Sequence, residues 1–166
     1  MRYSHPVTPV ELSPALIAIC EQLAPGTKPI YIDVLSDTGA PTNECFHLVE
    51  ERARREGGSR LIGWALWEMP GLYAEAEYHA IWQAPDGRYL DISPKLEPTA
   101  KVLFLPIPGA EYNDLQKDNV RRAISKDPYV QLFLQCFERR FEIMNRGDRA
   151  GQYGEISLGF IRVFCG

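Results

Sequence analysis

Three residues of this chain carry side chains that together could perform nucleophilic chemistry: Cys45, His79 and Asp91. A cysteine thiolate can attack a carbonyl carbon, a histidine can move the proton, and a carboxylate can orient the imidazole ring. Cys45 follows Asn43-Glu44, while His79 and Asp91 lie on either side of Pro85-Asp86-Gly87. The residue types and their order along the chain therefore predict a Cys-His-Asp triad.

The segment around Cys45 has the pattern of a helix that begins at Thr42 or Asn43 and ends at Gly57-Gly58. Threonine and asparagine are good N-cap residues, and glycine commonly ends a helix. Cys45 is then expected in the first helical turn, where backbone N–H groups and the helix dipole favour the thiolate over the thiol. The same N–H groups could hold the oxyanion of a tetrahedral intermediate. The alternative is that Cys45 is a small buried hydrophobic residue.

His79 and Asp91 are predicted on two neighbouring strands, over residues 73–82 and 88–92. Pro85 favours a type I turn with a left-handed Gly87, which gives a three-residue loop between the strands. That loop length sets a register in which Asp91 lies on the same face as His79 and one diagonal step away. An imidazole and a carboxylate can meet across this gap, so the turn favours a His79–Asp91 pair.

The rest of the chain predicts a mixture of helices and strands in one α+β domain over residues 1–166. Helices are expected to begin at Ser13-Pro14 and at Asp127-Pro128, where a capping residue precedes proline. A shorter helix is expected over residues 119–124. The tail over residues 153–165 could form an added strand or a docking segment. Short runs of apolar residues predict further strands at residues 29–34, 61–67 and 101–105.

The triad segments resemble the transglutaminase-like branch of the papain-like cysteine fold. The resemblance rests on Cys45 near a helix start, on His79-Ala80-Ile81-Trp82 in a strand, and on Tyr89-Leu90-Asp91-Ile92-Ser93-Pro94 at the end of the next strand. It implies a papain-like α+β fold, in which the helix that carries the cysteine packs on an antiparallel sheet, with extra C-terminal helices.

The same resemblance implies a role for each residue of the triad. Cys45 would be the nucleophile, His79 the general base and later the acid, and Asp91 the residue that orients His79. The reaction would be thiol-dependent acyl transfer at an amide or isopeptide carbonyl, through a thioester that water or an amine resolves. The superfamily contains amidases, deamidases, peptidases and cross-linking transglutaminases. It also contains inactive relatives, so a catalytically inactive papain-like binding module is the alternative.

Five further residues are candidates for contact with a substrate. Asn43 could supply an extra oxyanion donor, and Trp64 and Trp67 could form walls of the cleft or simply belong to the core. Glu75 and Glu77 share the predicted face of His79. They are expected on a solvated strand edge, unless they repel acidic substrates or bind a cationic group.

Composition and charge narrow the possible partners. The net charge is −4 and the Lys and Arg residues are scattered, which argues against a nucleic-acid partner. The acyl-transfer function that the resemblance implies makes a protein or peptide substrate the expected partner. The apolar runs are too short to cross a bilayer, and no hydrophobic signal segment follows Met1. The four cysteines are widely spaced without a C-x-x-C pair. We therefore expect a reducing, cytoplasmic location. The oligomeric state is open.

A metal site is the main rival to the triad, because Cys45, His79 and Asp91 are all competent zinc ligands. His47 is the nearest further ligand in the sequence. However, residues two apart on a helix project about 200° from one another, so Cys45 and His47 cannot easily share one ion. The sequence therefore predicts neither a metal nor a cofactor.

Overall fold

The computed structural model describes residues 5–37, 39–41, 44–95, 97–115 and 117–146, and the backbone of two C-terminal strands. The described helices are α1 (Pro14–Leu23), α2 (Cys45–Glu56) and α3 (Pro128–Met144). The described strands are β1 (Ile30–Val34), β2 (Ser59–Met69), β3 (Tyr73–Gln83), β4 (Tyr89–Asp91), β5 (Lys101–Pro106), β6 (Val120–Ala123), β7 (Gly154–Leu158) and β8 (Ile161–Cys165).

The first five strands close into a mixed barrel. Their order is β2-β5-β1-β4-β3, and β3 pairs back onto β2 along the whole length of both strands. Every pairing in this ring is antiparallel except that of β1 with β4, which is parallel. β6 adds to β3 beside the ring. The predicted α+β class is right, but the predicted papain-like core of a helix on an antiparallel sheet is wrong, because the strands form a closed mixed barrel.

The C-terminal part of the chain also differs from the prediction. Residues 119–124 were expected as a helix, but β6 pairs with β3 there, with Tyr73 opposite Ala123. One long helix, α3, follows, and β7 and β8 then pair as an antiparallel hairpin, which matches the added strand expected in the tail. The extra C-terminal helices are therefore one described helix, because the apolar runs on either side of it pair as strands.

The helices α1 and α3 begin where the sequence predicts. The Ser13 side chain accepts a hydrogen bond from the Leu16 amide, and proline follows it at the first helical position. Asp127 caps α3 in the same way through the Tyr129 amide. Because both caps use the side chain and the proline together, these two starts could be read directly from the sequence.

Two apolar clusters lie on opposite faces of β3. Alternate residues of the strand, such as Ala76 and Tyr78, pack with Leu16 and Phe46 of the two N-terminal helices. Ile81 faces the other way and packs with Phe104 in the barrel interior. His79 shares the face of Ile81, because residues two apart on a strand point to the same side. The predicted alternation of β3 is thus confirmed, and it places His79 on the face of β3 that carries Ile81.

Candidate active site

Cys45 is the first residue of α2, so its predicted place in the first helical turn is confirmed. Its side chain is buried, and it lines a cavity that also includes His79. Glu44 occupies the N-cap position without a side-chain capping bond. Thr42 and Asn43, the predicted helix starts, lie outside the described residues, and so does the predicted substrate contact of Asn43.

The turn between β3 and β4 has the predicted geometry. Gly87 has a φ of 86°, and its amide donates a 2.9 Å hydrogen bond to the Ala84 carbonyl. Trp82 pairs with Leu90, the register that brings Asp91 opposite Ile81. The loop therefore contains three residues, and a shift of one residue would have turned Asp91 to the other face of the sheet.

His79 and Asp91 meet as this register predicts. His79 Nε2 lies 3.0 Å from Asp91 Oδ2, and the two residues are 3% and 0% exposed. Since Nε2 is engaged by Asp91, Nδ1 is the ring nitrogen that remains for Cys45. Burial of the ring lowers the pKa of His79. The charges of Asp91 and of the Cys45 thiolate, with hydrogen bonds to both, outweigh burial and raise this pKa well above its ordinary value of 6.5.

Two groups beyond the triad hold Asp91, and the sequence reasoning missed both. The amide of Ser93 donates a 3.0 Å hydrogen bond to Oδ1, and Lys95 Nζ lies 2.5 Å from Oδ2. Burial alone raises the pKa of Asp91, but His79 and Lys95 together hold it below its ordinary value of 3.8. The spacing Asp-x-Ser, typical of an aspartate that caps its own backbone, was the available signal for Ser93.

Replacing Lys95 with methionine is expected to raise the pKa of His79 further, because Asp91 then has one cation less to share its charge. The measurement is an NMR titration of the His79 ring protons. Lys101→Met is the matched control, since Lys101 pairs with an exposed carboxylate, that of Asp33. An equal shift of the His79 pKa in both variants would show that Lys95 has no specific effect on the triad.

The cavity beside Cys45 has a volume of about 280 Å³. Trp67 and Glu77 line it, but Trp64 does not. Trp64 is buried among apolar side chains, where its ring lies 5.1 Å from that of Tyr78. The expected substrate contact of Trp67 is therefore compatible with the structure, whereas Trp64 belongs to the core.

Glu75 and Glu77 do not form a solvated strand edge, so that expectation is wrong. The side chain of Glu75 is 12% exposed and lies 3.1 Å from the guanidinium of Arg121, and Asn119 also donates to it. Burial raises the pKa of Glu75, and Arg121 opposes this shift. Glu77 is half-buried and accepts a hydrogen bond from Trp67 Nε1. The pairing of β6 with β3 brings Arg121 to Glu75, and the sequence reasoning missed this because it predicted a helix there.

The residues of the predicted triad are linked by one hydrogen bond and one shared cavity. The His79 ring is hydrogen-bonded to the Asp91 carboxylate, and His79 and Cys45 line the same cavity. Within the described part of the chain, no three His, Cys, Asp or Glu side chains are grouped so that they could hold a metal ion. The arrangement therefore suits the transfer of a proton between Cys45 and His79.

Among the described helices, none has both the length and the apolar character that a membrane-spanning segment requires. The whole chain was compared with known proteins. No family model, no curated protein and no solved structure matches it.

Proposed function

We propose that this chain is a thiol-dependent acyl-transfer enzyme that acts on an amide or isopeptide carbonyl. The observation that carries the proposal is the buried His79–Asp91 hydrogen bond at the edge of a cavity that Cys45 also lines. The order of the triad residues, which resembles that of transglutaminase-like enzymes, supports the same chemistry. The proposal concerns the reaction and does not extend to a papain-like fold.

In the proposed reaction, the Cys45 thiolate attacks the carbonyl carbon and forms a tetrahedral intermediate. Amide groups of the first turn of α2 can stabilise its oxyanion, because these N–H groups have no acceptor within the helix. The intermediate collapses to a thioester as the C–N bond breaks, and the departing nitrogen takes a proton from His79. His79 then removes a proton from water or an amine, which attacks the thioester and releases the thiol.

Asp91 has a positioning role in this scheme. Its carboxylate fixes the His79 ring through Nε2 and balances the positive charge that the ring carries between proton transfers. Ser93 and Lys95 hold the carboxylate in turn. These contacts support Asp91 as the residue that keeps Nδ1 directed at the thiol.

The size of the cavity bears on the substrate. A volume of about 280 Å³ lies at the lower end of small-ligand sites. Such a cavity can take one side chain or a small acyl group, which fits a protein or peptide substrate that presents a single residue. The described cysteines, Cys20, Cys45 and Cys136, are free. We place the enzyme in a reducing compartment such as the cytoplasm, where a nucleophilic thiol persists.

A generic acyl donor tests the proposal without knowledge of the substrate. Incubation with 4-nitrophenyl acetate is expected to acetylate Cys45 faster than the other cysteines, as read by peptide mass spectrometry. Added hydroxylamine should then remove the acetyl group as acetohydroxamate and sustain turnover. Cys45→Ala should abolish both steps, whereas Cys136→Ala, which removes an exposed thiol on α3, should abolish neither.

The opposite result would favour the inactive binding module. In that result the acetylation rate of each cysteine depends only on how exposed the cysteine is. Hydroxylamine then gives no turnover, and Cys45→Ala does not change the rate of 4-nitrophenol release. Circular dichroism of the variant shows that any loss of activity occurs in a folded protein.

A further inference from the structure

One wall of the cavity beside Cys45 consists of an indole and a carboxylate. Trp67 and Glu77 are diagonal neighbours on β2 and β3, and Trp67 Nε1 donates a 2.8 Å hydrogen bond to Glu77 Oε2. Glu77 is two residues from His79 on the same face of β3, which places its backbone about 7 Å further along the strand. A substrate group next to the reacting carbonyl therefore meets Trp67 and Glu77.

The carboxylates that line the cavity differ in how their charges are balanced. Glu75 lies against the guanidinium of Arg121, whose side chain is 7% exposed. Glu97 lies at a more exposed position, 3.7 Å from His5 Nδ1. The hydrogen bond that Glu77 accepts comes from a neutral indole, which supplies no counter-charge. Glu77 is thus the carboxylate near the triad that can act on a charged substrate.

The cations near the cavity are paired with acidic groups. The ammonium of Lys95 lies 2.5 Å from Asp91 Oδ2, so its charge is engaged by the triad acid. The His79 ring lies 3.0 Å from the carboxylate of Asp91, which balances a positive charge on it. The wall that a substrate meets therefore carries a net negative charge, and an anionic group would be repelled there.

We propose that Glu77 and Trp67 form a subsite for a cationic group, an ammonium or guanidinium, carried by the acyl part of the substrate. The inference rests on the proposed acyl-transfer function, because it places the subsite one step along β3 from the centre that Cys45 and His79 form. The carboxylate attracts the cation, and the indole ring adds a cation–π contact. A peptide or protein amide whose acyl side bears a lysine or arginine side chain meets this description.

The test compares three methanethiosulfonate reagents that transfer a methylthio, an aminoethylthio or a sulfonatoethylthio group to thiols. In each reaction the thiolate attacks the sulfenyl sulfur, a disulfide forms, and methanesulfinate leaves. Rate constants for each cysteine are read by peptide mass spectrometry. The ratio of the cationic to the anionic rate at Cys45 is divided by the same ratio at the exposed Cys136, which removes intrinsic differences between the reagents.

In the wild-type chain this normalised ratio is expected to favour the cation by about tenfold or more. Glu77→Gln keeps an acceptor for the Trp67 N–H and should reduce the preference by about tenfold. Glu11→Gln is the matched control, because it removes the same charge from an exposed position ahead of α1, remote in the chain from the reference Cys136, and should leave the preference unchanged. The wild-type preference should also fall as salt is added, which tests the subsite without any variant.

The outcomes separate this inference from the proposed function. A preference that persists in Glu77→Gln, or that is insensitive to salt, overturns the subsite, while a fast reaction of Cys45 with the neutral reagent leaves the proposed function intact. A slow reaction of Cys45 with the neutral reagent counts against the proposed function itself. A loss of preference in Glu77→Gln alone supports the subsite.

Discussion

Replacing His79 with alanine is expected to slow the alkylation of Cys45 by iodoacetamide at about pH 6 by one to two orders of magnitude. Burial of the His79 ring is outweighed by the Asp91 carboxylate, which helps to raise the His79 pKa well above its ordinary value, so the ring is positively charged under these conditions. In the proposed reaction this ring assists the attack by sulfur, and the alanine variant lacks it. The measurement is the alkylation rate of each cysteine against pH.

The other cysteines supply the internal references for this experiment. Cys136 is exposed on α3, so its alkylation rate is that of a solvent-accessible thiol. Cys20 is buried, and desolvation followed by the charge of Glu21 raises its pKa, so it should stay slow in both proteins. Fast labelling of Cys20 in the variant would reveal unfolding.

A second variant keeps the experiment decisive if His79→Ala does not fold. His79→Gln retains an N–H donor for the buried carboxylate of Asp91 and lacks the positive charge. Equal Cys45 rates in the wild type and in a folded His79→Gln would contradict the thiolate–imidazolium pair. The catalytic proposal would then lose its main support.

Asp91→Asn is expected to destabilise the protein by about 3–5 kcal/mol, the usual cost of removing one partner from a buried ion pair. Asp91 is fully buried, and the change leaves the charges of His79 and Lys95 without their shared counter-ion. The measurement is the free energy of unfolding from urea titration at neutral pH. Asp86→Asn is the matched control, because Asp86 is an exposed carboxylate in the adjacent turn. The urea concentration at which half of this variant is unfolded should stay close to the wild-type value.

The destabilisation caused by Asp91→Asn should depend on pH. The folded pKa of Asp91 lies below its ordinary value of 3.8, so the carboxylate contributes stability above that pH and loses it as the pH falls further. The difference in the free energy of unfolding between the wild type and Asp91→Asn should therefore become smaller at acid pH. A gap that stays constant from neutral pH into the acid range would show that the destabilisation comes from packing and not from charge.

Local sequence signals predicted those parts of the fold and site that depend on neighbouring residues. Pro85 and Gly87 set the turn, the turn set the register, and the register brought Asp91 to the face of His79. The capped starts of α1 and α3 were equally readable. Each of these features is decided by residues a few positions apart, where propensity and turn geometry apply.

The features that the sequence did not predict depend on residues far apart in the chain. The parallel pairing of β1 with β4 closes the barrel across more than fifty residues, and no local pattern identifies such a partner. The segment containing Arg121 has a charge pattern compatible with a helix, yet its pairing with β3 and the ion pair with Glu75 make it a strand. Tertiary contacts decided both outcomes.

The shortest strand of the barrel carries Asp91, the acid of the proposed triad. β4 contains three residues and is joined to β1 through Asp33–Leu90 and Val34–Asp91, and to β3 through two pairs near the turn. A strand held by so few pairings is where amide hydrogen exchange should reveal sub-global opening before the β2–β3 pairing separates. Each such opening withdraws Asp91 from His79 while most of the barrel persists. The alkylation rate of Cys45 would then report whether the ring of strands is closed.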